Sequence, residues 1–217
     1  MEVQRYVDIE IRGPRKVLEQ FPNAVEEHLD HGWSRDHEAE KRGTTLSGEP
    51  IYAFTCTERE ERPAANLVLT FREGENFLYV PNIVPKEYGD LSYGEYNSIA
   101  KDFYDRFAEP VANELGLDSH ITSGSEPITA YASEDTLQKL RRFSVAANKT
   151  TGSSHPNDRQ RWFDFLTAAH AKDARLNPDV LTRWLLSEGG WPEEQAHKLA
   201  SEYSFGRELL EAYDEKR

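Results

Sequence analysis

Hydrophobic and polar residues alternate from Tyr6 to Arg12, with Val7, Ile9 and Ile11 on one side and Asp8, Glu10 and Arg12 on the other. A period of two marks a half-buried strand, and Gly13-Pro14 ends it. The period then lengthens. Leu18, Phe21, Val25 and Leu29 recur every three or four residues between Arg15 and His31, which predicts a helix kinked or restarted at Pro22. After a Gly/Thr/Ser-rich loop over 42–49, Ile51 to Thr57 places Tyr52, Phe54 and Cys56 on one strand face. Segments 65–72 and 76–80 read as strands joined by Glu73-Gly74-Glu75, a hairpin-type connection that implies antiparallel pairing. Pro81 to Pro85 reads as a loop. A second helix is predicted over 96–115, with Ile99, Phe103, Phe107 and Val111 inward, Pro110 as a kink and Gly116 as C-cap. Residues 120–128 read as strand or loop.

From Ser133 onward the period is helical. Ser133 and Thr136 suggest a cap, with Leu137, Leu140 and Val145 on the apolar side of the first helix. Pro156 suits the first turn of the next, where Trp162, Leu166 and Ala169 form a stripe widened by Phe163 and Phe165. Asn177-Pro178-Asp179 starts a third helix with Leu181, Trp184 and Leu185 inward. Gly189-Gly190 ends it, and Pro192 opens a fourth that buries Ala196, Leu199, Ala200 and Tyr203. The expected fold class is therefore α+β: an antiparallel sheet with two helices, followed by an all-α C-terminal region of about four helices. The expected division is an acidic α+β domain over 1–128 and a helical domain or subdomain over 129–217, either separate or packed on the first as one unit.

Composition adds limits. Of 217 residues, 37% are hydrophobic, enough for a core, but apolar runs last only a few residues. A membrane-spanning helix needs about 20, so no membrane partner is expected. The first residues carry neither a basic nor an apolar leader, and a single cysteine, Cys56, excludes an intramolecular disulfide and a cysteine-rich zinc module. A cytoplasmic location is the expectation. Charge is uneven: 13 Lys/Arg against 25 Asp/Glu over 1–128, but 13 against 14 over 129–217. Lys139 to Arg161 is locally basic, with Lys139, Arg141, Arg142, Lys149, Arg159 and Arg161 against Asp158. An acidic surface attracts basic proteins, whereas a basic segment suits phosphates.

The residues most suggestive of chemistry are Lys149, Thr150, Thr151, Gly152, Ser153, Ser154, His155, Arg159 and Arg161. Hydroxyls and a glycine before a helix start, with nearby cations, can receive a phosphate. The same residues also make an ordinary capping loop. The Lys precedes the Gly, so this is no Walker A loop, and no dinucleotide fingerprint or Gly-x-Ser-x-Gly elbow occurs. His155 is the residue suited to acid–base work. His28, His31 and His37 cluster near Asp30, Asp36 and Glu38; one helical turn between His28 and His31 would let them share a metal with His37 or a carboxylate, but the His-Glu-x-x-His order of a zinc protease is missing and a solvated helix end is the favoured reading. Cys56 is expected in the core, Glu58 to Arg62 in a solvated turn, and Tyr79, Tyr88, Tyr93 and Tyr96 around a loop that closes over its own core or docks a partner. No cofactor, metal or catalytic set is expected.

These features favour a protein-binding or regulatory role, with the acidic part neutralising a basic protein partner as antitoxins and immunity proteins do. The alternatives are binding of a phosphate-containing ligand or nucleic acid at 149–161, or a hydrolase or phosphoryl-transfer activity using His155.

Overall fold

The computed structural model describes residues 2–43, 48–59, 62–151, 155–172 and 175–216. The chain forms two compact units, one of residues 5–124 and the other of residues 1–4 with 125–217.

The first unit is built on a six-stranded sheet of β2 (Ile9–Arg12), β3 (Trp33–Arg35), β4 (Ile51–Cys56), β5 (Ala65–Phe71), β6 (Phe77–Pro85) and β7 (Asp118–Ile121). Its order is β3-β4-β5-β6-β2-β7, and every neighbouring pair is antiparallel. The alternation along each strand puts Ile9, Ile11, Phe54, Cys56, Leu67 and Leu78 into one core with Leu18, Phe21, Ile99, Phe103 and Val111 from the helices.

Two proline positions differ from the sequence expectation. The strand predicted to stop at Val80 runs on through Pro81 to Pro85. Val68 pairs with Asn82 but Thr70 with Tyr79, so Val80 and Pro81 together face Leu69 in a bulge, where a missing N–H breaks no ladder bond. The long helix of 96–115 is three pieces: α4 (Tyr93–Phe103), a π-helical turn (Tyr104–Ala108) and α5 (Glu109–Glu114) with Pro110 in its first turn. Pro110 cannot donate to the carbonyl one turn back, and the wide turn absorbs the mismatch. The start lies earlier than the apolar period suggests because Ser92 and Glu95 form a reciprocal capping box, the Glu95 carboxylate accepting from Ser92 N at 2.8 Å. Between β2 and β3, α1 (Arg15–Leu18) stops before α2 (Phe21–His28), which restarts with Pro22 in its first turn. A short α3 (His37–Arg42), capped by Asp36, follows β3.

The turn expected to be solvated holds a buried charge. Arg62 lies 5% exposed beneath Trp33, and its guanidinium bonds to Asp102 on α4. Asp102 also accepts from Trp33 Nε1 at 2.7 Å and from Arg106 at 3.3 Å. Glu60 and Glu61, from the same expected turn, lie outside the described residues.

The second unit begins with β1 (Glu2–Gln4), which pairs antiparallel with β8 (Ser125–Pro127). A 3₁₀ turn (Ile128–Ala130) leads to α6 (Glu134–Ala146), α7 (Pro156–Lys172), α8 (Pro178–Ser187) and α9 (Glu193–Asp214). The expected caps are in place: Ser133 accepts from Thr136 N and Asn177 from Val180 N. Phe143, Trp162, Phe165, Leu181, Leu199 and Tyr203 make the core, and buried Val3 joins them. Two expected core residues face outward: Val145 is 87% exposed, its place taken by Phe143, and Phe163 is 49% exposed. Where the sequence divides the chain after residue 128, this unit starts at Ser125 and includes residues 1–4.

Candidate functional site

The phosphate-candidate segment is only partly held together. Asn148 turns the chain after α6, its side chain accepting from Thr150 N at 2.9 Å and its carbonyl from Thr151 N at 3.2 Å. Gly152, Ser153 and Ser154 lie outside the described residues. His155 sits at the start of α7, where its carbonyl accepts from Asp158 N and Arg159 N, and its Nδ1 accepts from Asn157 N at 3.3 Å. Arg161 is drawn to buried Asp158 at 2.7 Å. Arg159 instead lines an apolar groove together with Trp162 and Phe163. Among the described contacts, then, the Asp158 carboxylate goes to Arg161, and the His155 imidazole meets backbone.

The histidines of the first unit also disperse. His37 meets Glu26 at 2.8 Å, whereas His28 meets the Ala24 carbonyl at 2.8 Å and Glu114 at 3.5 Å. Among the described residues no group of three or more His, Cys, Asp or Glu is placed to hold a metal ion. No described helix is long and apolar enough to cross a membrane.

A different site emerges from the tyrosine-rich stretch. A cleft of about 530 Å³ is lined by Tyr6 and Asp8 ahead of β2, by Val80 to Pro85 of β6, and by Gly89, Asp90, Leu91 and Tyr96. Asn97 on α4 fixes its near wall: Oδ1 accepts from Val7 N at 2.9 Å, and Nδ2 donates to the Arg5 carbonyl at 2.9 Å. Thr122 Oγ1 accepts from Asp8 N at 2.8 Å. These bonds hold Tyr6 against Tyr93 and Tyr96, with ring centroids 4.4 and 4.6 Å apart. Tyr96 is buried, and burial first, then the Asp8 charge, pushes its phenol up to about 12, so the ring stays neutral.

The far wall is the margin of β6 that β2 does not reach, since β2 pairs only with Phe77 to Tyr79. Lys86 N donates to Ala64 O at 2.9 Å, so ladder alternation turns the polar groups of Val84 and Asn82 toward β5 and those of Ile83 and Pro85 away from it. Pro81 and Pro85 have no N–H, and the Ile83 N–H is taken by Asn82 Oδ1 at 2.9 Å. This margin therefore offers carbonyl oxygens and no backbone donor, and it cannot template an added strand.

Acceptors dominate the rest of the cleft as well. Asp8, whose side chain is 61% exposed, already holds a guanidinium, that of Arg5 at 3.0 Å. Asp90 is exposed. Carboxylates, carbonyls and neutral aromatic rings together receive an ammonium or guanidinium group and repel anions.

Comparison with known proteins bears on the other unit. Residues 136–203 match the model of a domain of unknown function (DUF1889). The match takes in most of α6, all of α7 and α8, and α9 as far as its last buried residue, Tyr203, and it covers under a third of the chain. No curated protein and no solved structure matches.

The tyrosines around the proline- and glycine-rich stretch 80–94 were the visible signal for the cleft, and Asp90 was not singled out. Its dependence on Tyr6 and Asp8 was not visible, because only the sheet brings that segment alongside β6.

Proposed function

We propose that this is a cytoplasmic protein-binding regulator that holds a basic protein partner, and that Lys or Arg side chains of the partner enter the cleft between Asp8 and Asp90. The observation that carries this reading is the donor-poor margin of β6 facing those carboxylates. The surrounding unit supports it, since residues 5–124 hold 23 Asp/Glu against 13 Lys/Arg. A charge imbalance of that sign speeds encounter with a cationic surface and makes it sensitive to salt. Masking of a cationic site, in the manner of antitoxins and immunity proteins, is the regulatory consequence.

The test is affinity purification of the full chain from its native cells, beside a variant carrying Asp8→Asn and Asp90→Asn. The wild type recovers a stoichiometric basic protein that elutes as salt is raised, and the variant loses it while its circular dichroism is unchanged. Recovery of the chain alone, or equal recovery by the variant, overturns the proposal.

A further inference from the structure

Beyond Tyr203, no residue of α9 is buried, although the helix continues for three more turns. Those turns are not polar all round. Phe205, Leu209 and Tyr213 are 68%, 59% and 60% exposed, and Phe163 of α7 faces solvent beside them. Phe163, Phe205 and Leu209 border a groove of about 500 Å³ between α7 and α9, with Leu166 in its floor. Gly206 keeps that floor open, because a Cβ there would stand 3.1 Å from Leu166 Cδ1.

The exposed stripe has a regular spacing. Glu202, Phe205, Leu209 and Tyr213, with Lys216 just past the end of the helix, follow one another at intervals of three and four, the seam of a helix that packs along another helix. Its ends carry opposite charges, and its middle is Leu209. We infer that a second copy of this chain covers this face, with the two α9 helices antiparallel about a twofold axis at Leu209.

The register follows from symmetry. With Leu209 on the axis, Phe205 of each copy meets Tyr213 of the other, and Glu202 meets Lys216 at both ends. A parallel pair would instead set Glu202 against Glu202 and Lys216 against Lys216. Only the antiparallel arrangement makes the stripe complementary to itself, the condition for a closed twofold dimer. A buried aromatic side chain covers on the order of 150–250 Å², and only the exposed half to two-thirds of Phe163, Phe205, Leu209 and Tyr213 is left to cover, so enclosing them in both copies reaches roughly 1,000 Å², the lower bound of a specific interface. The dimer is therefore concentration-dependent. It goes beyond the proposed cleft function and is independent of it, since the two lie in different units.

Sedimentation velocity of the full chain from micromolar to millimolar concentration tests it. The wild-type mass rises from 24.9 kDa toward twice that value. Leu209→Lys, which places two like charges on the axis, keeps the chain at the monomer mass throughout, and its circular dichroism shows the fold intact. Glu202→Lys and Lys216→Glu each weaken association by roughly tenfold, and the chain carrying both regains it. A wild type that stays monomeric, a Leu209→Lys chain that still dimerises, or a failure of the double reversal to restore association overturns the inference.

Discussion

Replacing Asp102 by Asn should destabilise the α+β unit far more than loss of a surface ion pair would. In the wild type this carboxylate accepts from Trp33 Nε1 and from two arginines, of which Arg62 is buried. Asn keeps one acceptor oxygen for the indole but removes the charge, so the Arg62 guanidinium stays buried without a counter-ion. Breaking such a pair costs about 3–5 kcal/mol. Asp102 itself is 23% exposed, so we expect the lower end, about 3 kcal/mol. Against the ~5–15 kcal/mol of a typical domain, that is a large fraction, and in urea it moves the midpoint down by roughly 1–3 M.

Trp33 is the one tryptophan in residues 5–124, so its indole N–H resonance reports this unit alone during a urea titration. The pH dependence carries a sign. Burial opposes ionisation of Asp102, but the hydrogen bonds from Trp33 and Arg62 and the two arginine charges outweigh it and hold the carboxyl below its ordinary 3.8. The contribution is thus complete above pH 3.8 and fades as pH falls from there through the lowered folded-state value, so wild type and variant converge in acid. Combining Asp102→Asn with Arg62→Met should recover most of the loss, because no guanidinium is then stranded and the Trp33 N–H keeps an acceptor. A loss under about 1 kcal/mol at neutral pH, the scale of an exposed pair, refutes the reasoning.

Cys56 is fully buried, and burial raises its thiol above the ordinary value, so a thiol reagent should leave it unmodified in the native protein and label it in denaturant. Asn97→Ala removes both bonds to the Arg5–Val7 backbone and should cost about 1–3 kcal/mol, with the Tyr6 ring signals shifting in the nuclear magnetic resonance spectrum. Trp191→Phe keeps the stack on Phe143 but loses the buried bond from Nε1 to Ser144 Oγ at 2.8 Å. Thermal unfolding of that variant should show a loss of about 1–2 kcal/mol.

Periodicity made the main elements legible because it reports burial directly. Ile9, Ile11, Phe54 and Cys56 on strands, and Leu137, Trp162, Trp184 and Tyr203 on helices, all face the cores that their spacing predicts. It failed where the backbone deviates from regular geometry. The bulge at Val80 and Pro81 and the π turn before Pro110 each absorb a proline that reads as an interruption. It failed again for Phe163, which fits the helical stripe but lies on the shoulder where α9 leaves a groove open. Arg62 was unreadable for another reason: its burial depends on Asp102, 40 positions away, and no local pattern announces a distant counter-ion. The cleft was half visible, its tyrosines and prolines marked in sequence and its Asp8 wall supplied only by the sheet.

The β1–β8 ribbon has a consequence for biosynthesis. Glu2 to Gln4 are made more than a hundred residues before the strand that receives them, which starts at Ser125, so the nascent chain must carry an unpaired apolar Val3 while the whole α+β unit is made. That unit is an insertion whose two ends meet, Arg5 N donating to Gly124 O at 3.0 Å. Its folding draws the early strand and its late partner together before the helices are complete, turning a closure over more than a hundred residues into a local one. The inserted unit thereby serves as a folding template for the host that surrounds it in sequence, and a fragment cut at residue 129 would be born without the strand that closes its core.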